Sequence, residues 1–190
     1  MGLNYYRVTP DELETLRPLI EAHENELVGP RSRGYWFDRP DPYDYEGVRD
    51  IARQLDDAGR QHSIENLELS EVQAHGLSLL DVELPSDGLE FPPALFMSSV
   101  GPDGVRRHVK AAQRHLGASP DAAARRYVQN ERDPRFSDYL DKQLRHLREA
   151  LPLVWRFYER ALAAGDAILV VDLRARDLEI PEEVELLSVY

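Results

Sequence analysis

The stretch from Ser137 to Leu173 constrains the fold most: SDYLDKQLRHLREALPLVWRFYERALAAGDAILVVDL. Leu140, Leu144, Leu147 and Leu151 recur at helical spacing, and Val154, Tyr158 and Leu162 continue the stripe. Gly165 supplies a stop. Ala167 to Val171 is an unbroken apolar run, the pattern of a strand buried on both faces. A long helix feeding a core strand predicts an α+β fold, with a mixed or antiparallel sheet packed by helices. A straight helix over Asp138 to Ala164 would run about 40 Å, as long as a whole small domain. Pro152 lies inside it and removes one backbone hydrogen bond. The expectation is therefore a kinked helix, bent or broken near Arg148 to Leu151. The acid-first pairs Asp138 with Lys142 and Asp141 with Arg145 favour helix modestly.

The 190 residues suit one domain spanning 1–190. Leu3 to Val8 reads as a first strand. Thr9 is a good N-cap, Pro10 fits the first helical position and Glu12 completes a capping box. The helix continues through Leu13, Leu16, Leu19 and Ile20 to about Leu27, and Gly29-Pro30 ends it. Val48 to Ala58 is helical in pattern, with Gly59 at its end. Ser63 to Met97 is strand-like but irregular: Leu67 and Leu69 alternate, Leu77 to Leu84 is mostly apolar, and Ala94 to Met97 is a short apolar run. Gly101-Pro102-Asp103-Gly104 is a turn and helix start, and the helix runs from Val105 to Leu116 with Gly117 as its stop. Ser119-Pro120-Asp121 starts another helix, to about Asn130. Ile180 to Tyr190 is an edge strand or a docked tail.

Between the first two helices lies a loop at 29–47, GPRSRGYWFDRPDPYDYEG. Its prolines and glycines oppose regular structure. Yet Tyr35, Trp36, Phe37, Tyr43 and Tyr45 are five of the chain's sixteen aromatics. With Arg31, Arg33 and Arg39 alongside, these are the residue types enriched where proteins bind one another. Tyr35, Trp36, Arg39, Tyr43 and Tyr45 are the candidate partner-binding residues. The competing reading makes Trp36 and Phe37 a lid folded back on the core. A third set, Asp38, Asp41, Asp44 and Glu46, offers oxygen ligands, but the spacing is not that of a calcium loop, and no metal or cofactor is expected.

The net charge is −12. That repels nucleic acid at long range and attracts basic partners. No run approaches about 18 apolar residues, so no membrane span is expected. The N-terminus lacks the basic-then-apolar pattern of a signal peptide, and cysteine is absent, which fits a cytoplasmic protein. No Lys or Arg occurs between Arg60 and Arg106, while Asp103 to Arg135 holds seven Arg and Lys110. The simplest account is that the acidic and basic regions face each other. The sharper one is an anion site on the basic helix, from Arg107, His108, Lys110, Arg114 and His115. His108 and His115, seven apart, share one helical face.

The opening MGLNYYRVTPDEL resembles that of YfbM-like proteins, a bacterial domain family of unknown function. Tyr139-Leu140, Phe157-Tyr158-Glu159-Arg160-Ala161 and Gly165-Asp166-Ala167-Ile168-Leu169 are similar to that family's closing helix and strand. The resemblance covers about a third of the chain; the middle departs from the pattern, and the loop at 29–47 stands as an insertion. It implies a small cytosolic α+β fold and brings no catalytic residues with it.

No motif in the chain fixes a reaction. Gly76-Leu77-Ser78-Leu79-Leu80 is half of a nucleophile elbow, and Leu80 removes the glycine the turn needs. His23-Glu24 begins like a zinc-protease motif without its second histidine. The sequence favours a small interaction protein, of immunity or partner-neutralising type, with a basic protein as partner. The alternative is a hydrolase acting on an anionic substrate through His108, Arg114 and their neighbours.

Overall fold

The computed structural model describes residues 3–28, 46–77, 97–115 and 137–173. They form β1 (Leu3–Val8), α1 (Pro10–Val28), α2 (Glu46–His62), β2 (Glu65–Leu69), α3 (Glu71–Leu77), β3 (Met97–Val100), α4 (Pro102–His115), α5 (Ser137–Ala164) and β4 (Ala167–Asp172). The four strands make one sheet in the order β2-β1-β4-β3. Among the described residues every pairing is antiparallel, the second of the two expected alternatives. The central pair joins the two ends of the chain, with Leu3 opposite Asp172 and Val8 opposite Ala167.

Strand alternation divides the core in two. Leu3, Tyr5, Ile168 and Val170 face a layer that α3, α4 and α5 supply through Leu77, Val105, Leu147, Leu151 and Phe157. Tyr6, Val8, Leu169 and Val171 face the opposite layer, with Leu16 and Ile20 of α1 and Ala52 and Leu55 of α2. The result is a sheet with helices on both sides. It explains why all six residues of β4 are buried, whereas edge strand β2 exposes Asn66 and Glu68. Tyr5 meets Phe157 and Tyr158 edge-on, with ring centroids 6.1 and 6.3 Å apart, a favoured aromatic geometry.

Capping follows the sequence at two junctions. Glu12 N–H donates to Thr9 Oγ1 at 3.1 Å. Glu12's carboxylate, however, reaches His62 Nδ1 on α2 at 3.0 Å, so it ties two helices together instead of closing the box. At the end of α5, Gly165 has φ 75°. Asp166 N–H donates to Ala161 O at 2.9 Å and Gly165 N–H to Leu162 O at 3.3 Å, the paired bonds of a glycine-terminated helix.

Three expectations need correction or narrowing. First, the helix is not broken near Arg148 to Leu151: α5 continues through Pro152 as one helix, which leaves the bent alternative. Leu147, Leu151, Val154 and Phe157, on both sides of the proline, are buried in one core. Burying each is worth about 1.5–3 kcal/mol, so together they outweigh the roughly 3 kcal/mol cost of an interior proline. Second, Gly59 does not end α2, which runs on to His62. A Cβ at Gly59 would lie 2.5 Å from Tyr6 Cδ2, so glycine is there to let the Tyr6 ring approach the helix. Third, Glu71 to Leu77 is a helix, not part of a strand region. Ser70 and Gln73 cap it reciprocally: Gln73 N–H donates to Ser70 Oγ at 3.4 Å and Ser70 N–H to Gln73 Oε1 at 3.0 Å. The segments expected at 119–130 and 180–190 lie outside the described residues.

Of the acidic run expected to face the basic segment, Glu65 accepts from Arg7 Nη1 at 2.7 Å and also pairs with Arg160. Arg160 dominates in holding the Glu65 carboxyl below the usual carboxylate range. Arg7 Nε lies 2.9 Å from Asp166 Oδ2, so one cluster pins β1, β2, α5 and the start of β4. Arg106 of the basic segment pairs with Asp103 on its own helix, at 2.9 Å. The acids from Asp81 to Glu90 lie outside the described residues.

Among the described residues no helix is long and apolar enough to cross a membrane.

Candidate functional site

β3 leaves the sheet at Val100 and the chain enters α4 directly. Pro102 takes the first helical position, where its missing N–H costs nothing. Val105 N–H donates to Gly101 O at 2.9 Å and closes the first turn. Gly104 is buried against Val100, where a Cβ would stand 2.6 Å from Cγ1. This tight junction leaves an open cleft of about 430 Å³, lined by Ser99, Asp103, Arg107 and His108 with the backbone of the turn.

The cleft is polar and partly cationic. Unpaired N–H groups at a helix start carry partial positive charge. Arg107 is exposed and makes no ion pair among the described residues, while Asp103 is engaged by Arg106. His108 is half-buried; its Nδ1–H donates to Gly104 O at 2.9 Å, and its ring packs against Tyr158 at 5.9 Å between centroids. The arrangement can receive a small anion.

Of the five residues the sequence grouped on this helix, the structure brings Arg107 and His108 to the cleft. Lys110 is exposed on α4 and is not part of the lining. Arg114 and His115 lie in the last turn of α4, and their side chains are outside the described residues. Seven positions separate His108 from His115, about 10 Å along the axis. The partner-binding candidates Tyr35, Trp36, Arg39, Tyr43 and Tyr45 also lie outside the described residues, as do Asp38, Asp41 and Asp44. Among the described residues no group of three or more His, Asp or Glu is placed to hold a metal.

A second polar constellation went unread in the sequence. Asp56, on the inner face of α2, is buried against β1. Its Oδ1 accepts from Asn4 Nδ2 and Tyr6 Oη, both at 2.6 Å, and its Oδ2 accepts from Arg60 Nε at 3.1 Å. Burial, and then the bond to Asp56, push the Tyr6 hydroxyl well above the usual tyrosine range. Asn4 Oδ1 is buried with no hydrogen-bond partner among the described residues. The available signal was an acid beside Leu55 and one turn from Ala52, inside an otherwise apolar face.

His23, fully buried on α1, is a third feature. Burial pushes its pKa down from 6.5 to about 4. The unfolded chain therefore binds a proton in this range that the folded chain refuses, so stability falls as pH drops from 6.5 towards 4. The loss reaches about 3 kcal/mol at the low end. Urea unfolding at pH 7 and pH 4.5 should show it, and His23→Gln should flatten that part of the pH slope. An unchanged slope in the variant would remove His23 as the cause.

Compared with known protein families, curated proteins and solved structures, the chain matches none.

Proposed function

We propose that this protein acts by binding another protein of basic character, in the manner of an immunity or partner-neutralising protein. The observation that carries the reading is the outer face of α1. Asp11, Glu14, Glu21 and Glu24 are exposed there, and the one basic side chain, Arg17, is already paired with Glu14. Together with a net charge of −12, this face offers long-range attraction to a cationic surface. The aromatic loop, with its candidate anchoring residues, follows α1 directly in sequence. In this reading the protein is cytoplasmic and does not bind nucleic acid, whose phosphates its charge repels. Kinship with the YfbM-like family belongs to the same proposal; the segments that carry the resemblance cover β1, the first turn of α1, parts of α5 and the start of β4.

The test starts from a partner recovered with the protein from its own cells and then purified. Glu14→Lys combined with Glu21→Lys and Glu24→Lys should weaken binding at least tenfold at low salt and little at high salt. Tyr43→Ala with Tyr45→Ala should abolish binding and leave the thermal midpoint nearly unchanged. A large drop in stability from the tyrosine pair would assign those rings to the core and remove them as the anchor.

The second reading is a hydrolase for an anionic substrate, and the Arg107–His108 cleft is what favours it. Titration with inorganic phosphate should move the amide resonances of Asp103 and Gly104 to saturation, and Arg107→Ala should remove the effect. Resonances that stay still in the native protein would dispose of this alternative.

A further inference from the structure

We draw no further inference here: the strongest candidate, the buried Asn4–Tyr6–Asp56 cluster between β1 and α2, offers one orphaned acceptor at Asn4 Oδ1, and nothing in the structure shows what would meet it.

Discussion

Gly76→Ala is expected to destabilise the protein by about 3 kcal/mol, near the upper end for overpacking a rigid site. Two effects compete. Alanine is the better helix former by about 1 kcal/mol, which alone would stabilise α3. Against this, the new methyl would sit 2.5 Å from Leu147 N and 2.6 Å from His146 C. Those are backbone atoms of α5, so relief requires moving a helix rather than a side chain. α3 has seven residues and cannot shift without disturbing Leu77 and Ala74, both buried in the same core. Gly101→Ala is the control: nothing lies within 4 Å of its Cβ position. It should change stability by less than about 1 kcal/mol, in the stabilising direction if at all. Chemical denaturation of both variants checks the pair. A Gly76 variant as stable as the parent would mean that α3 and α5 do not approach as closely as described.

The same glycine shows what the sequence could and could not disclose. In isolation, Gly76-Leu77-Ser78 reads as half a nucleophile elbow, because a glycine beside a serine says nothing about a helix lying across it. Local chemistry was legible wherever one junction decided the outcome. Gly165 stops α5, Thr9 opens α1, and the alternation-free run from Ala167 announces a strand covered on both sides. Where two elements had to meet first, it was not. Gly59 reads as a helix end until the Tyr6 ring is placed against it. Ser70 and Gln73 do carry a readable capping pattern, but the leucines on either side drew the segment into a strand interpretation.

The candidate site divides along the same line. Arg107 and His108 reach one cleft because they are adjacent on one helix, and the glycine-flanked turn before them marks the helix start. Lys110 was grouped with them on sequence proximity, and helix geometry turns it away from the lining. The pairing of Glu65 was illegible for a different reason. Arg7 and Arg160, the partners of Glu65, are 58 and 95 residues away, and only the sheet brings them together.

The Asp56 cluster is the extreme case: its contacts to Asn4 and Tyr6 span 52 and 50 residues. Asp56→Ala is expected to cost about 3–5 kcal/mol, for a reason distinct from the loss of a charge. A buried carboxylate is itself expensive, and an apolar replacement of a whole polar cluster is often neutral. Alanine at 56 does not replace the cluster. It leaves Tyr6 Oη and Asn4 Nδ2 buried without an acceptor, at about 1–3 kcal/mol each, and adds a cavity beneath α2. Arg60, about half exposed, can turn to water and contributes little. The two mechanisms separate in a double-mutant cycle. If orphaned donors dominate, Tyr6→Phe should recover part of the loss in the Asp56→Ala background, because it removes one stranded donor. The coupling should then be at least about 1 kcal/mol. If the carboxylate matters only through its charge, the two changes should simply add, and Asp56→Asn should be as damaging as alanine. Additivity would leave the Tyr6–Asp56 bond a contact of little energetic weight, and apolar packing, through Ala52 and Leu55 among others, would hold α2 to the sheet.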